Sequence, residues 1–246
     1  MYRLYRKNGI LFSILWIVVY VVGLSAADAL SLSLGVQKSV TAAAGLLLSA
    51  VLYGFLRRHG LTKAYGLCCP SVPARWLLYY LPLAAMVSVN LWYGITLSMR
   101  VDECLLYVVS MLLVGFLEEM IFRGLLFCEM KKQGLVSAIV VSSLTFGIGH
   151  LVNLFNGSGA DLLANVLQVV YAAAAGLLFC VILLKTGSLL PCILTHSILN
   201  VLGIFAEGVQ ISAVQKITSA IFLTVVSLGY TGYILYVCKK KPQTIQ

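Results

Sequence analysis

Apolar residues run along this chain in blocks of about twenty, separated by short clusters of Arg, Lys, Gly and Pro. A helix rises about 1.5 Å per residue, so a block of that length crosses a hydrocarbon layer about 30 Å thick. Eight blocks stand out, at 10–27, 39–56, 76–98, 104–127, 134–155, 162–184, 188–206 and 217–237. The breaks are short. The longest, RRHGLTKAYGLCCPSVPAR, is basic and carries Pro70 and Pro73, so no soluble domain fits anywhere. The connector NGSGAD at 156–161 is a polar Gly/Ser turn that suits the outer face. No internal repeat is visible, which counts against the inverted-repeat transporter folds. The pattern predicts an all-α fold, a polytopic transmembrane bundle of about eight spans forming a single integral membrane domain over 1–246.

Composition agrees. Of 246 residues, 61% are hydrophobic and 10% charged, and the mean hydropathy is +1.01, too little polar surface to cover a water-soluble globule. The net charge of +9 does not call for nucleic acid as a partner, because the cations sort by loop. Thirteen Lys and Arg fall on one side, from Arg3, Arg6 and Lys7 through Arg57 and Arg58 to Lys239–Lys241; the opposite loops hold only Lys38, Arg100 and Lys216. By the positive-inside rule both termini are cytoplasmic, as an even span count requires, and the terminal KKK also suits anionic lipid headgroups. A plasma membrane location is expected. The first block, between MYRLYRKNG and GLSAADA, has the shape of a signal peptide, but removing it would leave seven spans and break the charge parity. The seven Cys are scattered, with no disulfide framework and no zinc-type pairing; Cys68, Cys69 and Cys238 lie near basic segments where acylation is conceivable.

Ionisable groups are costly inside a bilayer, so those in the blocks face the bundle interior and either pair or work. They are Glu118, Glu119, Arg123, His150 and His196, with Asn200 beside them. Glu119 and Arg123, four apart, share a helix face and can pair. Glu118 points about 100° away and has no evident local cation. Phe146 and His150 are four apart, as are His196 and Asn200, so each pair stacks on one face, and Gly147 and Gly149 permit a close neighbour. If KKQG is a turn, Glu118 and His150 stand equally far from it on antiparallel helices and reach the same depth. His196 is placed less sharply. A carboxylate and an imidazole can hold a water and take its proton, and a second imidazole with an amide can donate to the oxyanion that forms. That equipment suits peptide hydrolysis without a covalent intermediate.

EEMIFR, FGIGH and HSILN, in that order, fit EExxxR, FxxxH and HxxxN. Together they resemble the CPBP family of intramembrane proteases, which includes the type II CAAX prenyl endopeptidases and bacteriocin-processing and immunity proteins. The motifs lie in a catalytic core at about 104–206. The resemblance implies that Glu118 and His150 activate water, that His196 and Asn200 form the oxyanion site, and that Glu119, Arg123 and Phe146 support them. It also implies a metal-free glutamate mechanism. A zinc version would use Glu118, His150 and His196 as ligands, without an HExxH motif. The implied substrate is a peptide or lipid-modified protein met at the membrane, cleaved near the cytoplasmic leaflet; nothing in the sequence points to a particular oligomeric state. Two readings of other classes stand beside it: a proton-coupled transporter, since buried Glu and His also build proton relays, and a non-enzymatic immunity or scaffold protein. His59, Asn153, Asn165 and Gln168 read as solvated, helix-capping or interhelical groups.

Overall fold

Helices start where a side chain can answer free backbone N–H groups, and two long ones here begin that way. The computed structural model describes residues 1–97, 99–154, 161–206 and 209–240. A short helix α1 (Tyr2–Lys7) leads into α2 (Gly9–Ser33), capped by Asn8, whose side chain accepts from Leu11 N at 2.9 Å. Then come α3 (Ser39–Arg58), the short α4 (Leu81–Val87), α5 (Val101–Lys131), α6 (Leu135–Gly149), α7 (Leu162–Thr186), α8 (Leu190–Leu202) and α9 (Ala213–Lys240). Asp161 caps α7, accepting from Ala164 N at 2.7 Å, and Gly187 ends it at φ 70°, a left-handed turn that favours glycine. No strand occurs among the described residues. The connector at 156–160 and Lys241 of the terminal KKK lie outside the described residues.

Among the described residues six helices are long and apolar enough to span a membrane: α2, α3, α5, α6 with its 3₁₀ extension to Leu154, α7 and α9. The chain is thus an integral, multi-pass membrane protein. Large apolar side chains such as Leu47, Val136 and Val225 are 62% to 75% exposed on its outside, as lipid-facing groups are. The two remaining blocks are shorter than the sequence pattern suggests. Block 188–206 becomes the 13-residue α8, entered through Pro191 and extended by a 3₁₀ turn to Phe205. Block 76–98 does not form one long helix. Its backbone passes through left-handed conformations at Leu78, Tyr79 and Tyr80 (φ 50°, 50° and 60°), restarts at α4 with Pro82, and turns to 3₁₀ at Ser88. Pro82 cannot donate a backbone hydrogen bond, so an apolar run is broken there that hydropathy alone reads as continuous.

The two ends of the bundle are tied by polar contacts. At the end holding α1, the buried carboxylate of Glu129 accepts from Tyr65 Oη and from Lys132 Nζ at 2.7 Å, and Tyr65 reaches Tyr5 Oη at 2.8 Å. Burial, reinforced by the bond to Glu129, pushes the Tyr65 phenol up. At the other end Lys38 Nζ pairs with Asp28 at 2.9 Å, Gln37 N donates to Glu103 at 3.2 Å, and Lys216 pairs with Asp161.

One irregularity positions the site. Helix α5 is α-helical to Glu118, then winds as a nine-residue π-helix from Glu119 to Phe127, every residue of it buried, before closing at Cys128–Lys131. This stretch packs against α2, α6 and α7. Ser142 Oγ on α6 donates to Phe122 O at 2.8 Å within it. A π winding closes i→i+5 bonds and is found mostly at functional sites.

Candidate active site

Glu118 stands 17 residues into α5, roughly 25 Å along the helix and deep in the bundle. Helix α8 brings His196 against it. The ring donates from Nδ1 to Glu119 Oε1 at 2.8 Å, and its Nε2 lies 3.4 Å from Glu118 Oε2. One imidazole therefore spans both acids. The 100° separation expected of neighbouring residues does not part them, because the two nitrogens of the one ring reach one acid each. Gly115 allows the approach: a Cβ there would lie 2.8 Å from Ser197 Cα and N on α8.

Glu119 is the shared acceptor, taking Arg123 Nη1 at 3.0 Å on the same Oε1 that holds His196. Both members of this pair have fully buried side chains. The Arg123 guanidinium lies 3.9 Å from the centre of the Phe146 ring and 5.6 Å from that of Phe179, faces that attract a cation. Gly176 leaves it room, since a Cβ there would sit 2.9 Å from Nη2. The pairing of Glu119 with Arg123 is as the spacing predicts.

Glu118 is different. Its side chain keeps 13% exposure, and Oε1 accepts a 2.5 Å hydrogen bond from Tyr20 Oη on α2. Tyr20 was not among the residues singled out in the sequence. Its only signal there is a polar ring edge in the middle of the first apolar block, at a position indistinguishable from packing.

His150 opens the 3₁₀ turn that follows α6, its ring edge-on to Phe146 at 5.1 Å between centroids. Asn165 Nδ2 on α7 donates to His150 O at 3.1 Å, and Asn153 bonds Gln168 at 3.2 Å, so these amides link the turn to α7. Phe146 also meets His196, at 5.6 Å between ring centres. The histidine within ion-pair reach of Glu118 is His196; His150 instead shares a cavity with it.

That cavity, about 380 Å³, is lined by Glu118, His150, His196 and Asn200 together, with polar walls from Ser25, Asp28, Lys38 and Thr41. A second chamber of about 250 Å³ meets it at Phe146, His150, His196 and Asn200. Its other walls are largely apolar, among them Met86, Met111, Ala172, Phe179 and Leu223. His150, His196 and Asn200 line both spaces, and Glu118 lines the larger one.

The zinc set of Glu118, His150 and His196 is not gathered into one ligand cluster. Glu119 holds His196 at Nδ1, and among the described residues no three His, Cys, Asp or Glu side chains form a metal-binding group.

The fold and this cluster define a polytopic helical membrane protein with a buried Glu/His centre. A family model described as type II CAAX prenyl endopeptidase Rce1-like matches residues 100–202, the stretch that carries all three motifs. Over that stretch the chain is similar to the type II CAAX prenyl endopeptidases of the CPBP family. No curated protein and no solved structure matches the chain.

Proposed function

We propose that the chain hydrolyses a peptide bond inside the membrane with a water activated by Glu118, without a metal. The observation that supports this most is the meeting of Glu118, His150, His196 and Asn200 on one cavity, with Glu118 the acid left unpaired by Arg123. Water in the polar chamber gives its proton to Glu118 as its oxygen attacks the scissile carbonyl carbon. His150 orients that water from the same wall. With Nδ1–H held by Glu119, His196 in its doubly protonated form donates to the oxyanion from Nε2, and the Asn200 amide donates beside it, each bond worth roughly 3 kcal/mol when preorganised. Glu118 then passes the proton to the leaving nitrogen, and the C–N bond breaks. Glu119 and Arg123 are positioning residues: they hold the His196 ring by Nδ1, so that Nε2 faces the chamber. The apolar chamber receives a substrate side chain.

The test uses the purified full chain and a library of internally quenched peptides. Glu118→Gln and His196→Ala should each lower cleavage by a factor of at least ~10² while the protein still melts cooperatively. Wild-type turnover by a folded Glu118→Gln variant refutes the mechanism. A metal chelator should leave the wild-type rate unchanged; loss of activity that zinc restores refutes the metal-free assignment.

A further inference from the structure

The linings of both chambers extend toward the same end of the bundle, the end away from the chain termini. The larger is walled by Ser25 and Asp28 late in α2, Lys38 and Thr41 at the start of α3, and Gly149 and Asn153 where α6 ends. The smaller continues past Asn200 to Gly203, beyond the end of α8. A third cavity of about 150 Å³ adjoins it through Val89, Asn90, Tyr171 and Leu223 and reaches Lys216 at the start of α9. Toward the termini the picture reverses. Every residue from Glu119 to Glu129 is buried, and Leu52, Leu56, Leu77, Leu125 and Ile182, all fully buried, fill that half of the bundle. At its end, Glu129 is closed over by Tyr65 and Lys132.

Charge assigns the two ends to the two sides of the membrane. The three cations of the open end are each neutralised by an aspartate: Lys38 by Asp28, Arg100 by Asp102 at 2.8 Å, and Lys216 by Asp161. The terminal end carries the other thirteen loop cations, and Glu129 is the acid set among them. An excess of Lys and Arg marks the cytoplasmic side.

From these two asymmetries we infer that the site is served from the extracytoplasmic face, and that its substrate is an exported polypeptide with an apolar side chain beside the scissile bond. A cytosolic carboxyl terminus, prenylated or not, meets the sealed end. The inference rests on the proteolytic reading for what is done to the substrate, but not for which face is open.

Two measurements separate these points. In intact cells making the full chain, a membrane-impermeant maleimide should label Asn153→Cys, and independently Ser25→Cys, several-fold above the wild-type chain, whose own cysteines set the background. Native Cys68 and Cys69, at the terminal end, should label only after permeabilisation. If labelling of both introduced cysteines rises only after permeabilisation, or in neither condition, the inference is overturned. In the second arm the cells co-express a peptide reporter with or without an export signal. Cleavage of the exported form alone is expected, and cleavage of the cytosolic form alone overturns the inference. If the cavity labels from outside and neither reporter nor any library peptide is cut, the proteolytic reading fails and the open face stands.

Discussion

Replacing Gly115 by Ala tests whether catalysis depends on how closely α8 approaches α5. The new methyl would lie 2.3 Å from Ser197 Oγ and 2.8 Å from Ser197 Cα and N. A side-chain oxygen can rotate away, but the backbone contacts cannot be relieved by a rotamer. Ordinary van der Waals contact begins near 3.4 Å, so α8 must retreat by about 0.6 Å at Ser197. His196 is the preceding residue and moves with it, lengthening a 2.8 Å bond to Glu119 and a 3.4 Å approach to Glu118. A misplacement of about 1 Å costs roughly 10²-fold in rate, so about ten- to a hundredfold loss of kcat is expected here. Overpacking should also destabilise by about 1–3 kcal/mol. The assay pairs peptide cleavage by purified protein with thermal unfolding in the same detergent. A second variant sharpens the result: adding Ser197→Ala removes the 2.3 Å contact but leaves the backbone ones, so it should not restore activity. Wild-type kcat in Gly115→Ala, or full rescue by Ser197→Ala, refutes the reasoning that backbone proximity sets the His196 position.

Three further outcomes follow from the contacts. Tyr20→Phe removes the 2.5 Å donor to Glu118 while keeping the ring, and should lower kcat/KM about tenfold or more, since hydrogen bonds to charged groups are worth about 1.5–3 kcal/mol; an unchanged kcat/KM shows that Tyr20 does not hold the acid. Arg123→Ala leaves the buried Glu119 carboxylate with His196 as its remaining partner and should cost roughly 3 kcal/mol of stability, read from the melting temperature. The bond from Lys216 holds Asp161 below the usual carboxylate range, helped by the Ala164 N–H. A group depressed on folding contributes stability above its unfolded pKa of about 3.9 and loses it as pH falls through the folded value, so the melting temperature should drop less between about pH 5 and pH 3 in Asp161→Asn than in the wild-type chain. Parallel curves refute that linkage.

Much of this architecture is written in the hydropathy blocks, because a lipid-facing helix must be apolar over its whole length and few other constraints act on it. Six blocks became long helices. The block 76–98 misleads because hydropathy does not register a single Pro82 or three left-handed residues before it, and backbone geometry decides there. Within the site, i,i+4 spacing reads the Glu119–Arg123 pair directly, since it is local to one helix. Contacts between helices are another matter. That His196 bridges both acids depends on the close approach of α8 at Gly115, and that Tyr20 reaches Glu118 depends on how α2 packs against α5; neither leaves a periodic trace in sequence.

The three neighbouring charges are sorted by burial according to whether they are paired. Glu119 and Arg123, which neutralise each other, have no exposed side-chain surface, whereas Glu118, which no Arg or Lys answers, keeps 13% and takes a hydrogen bond from Tyr20. An unpaired carboxylate taken fully out of water would cost several kcal/mol, so it must border a space that water can fill. The 380 Å³ chamber is such a space, with polar groups along its wall from Glu118 to the Asp28–Lys38 pair. In the proposed reaction, the solvent that makes the charge tolerable is also the solvent that the carboxylate deprotonates. A purely structural acid would gain from being paired or excluded; this one is left without an Arg or Lys partner on the wall of the larger chamber, beside the residues that the two chambers share.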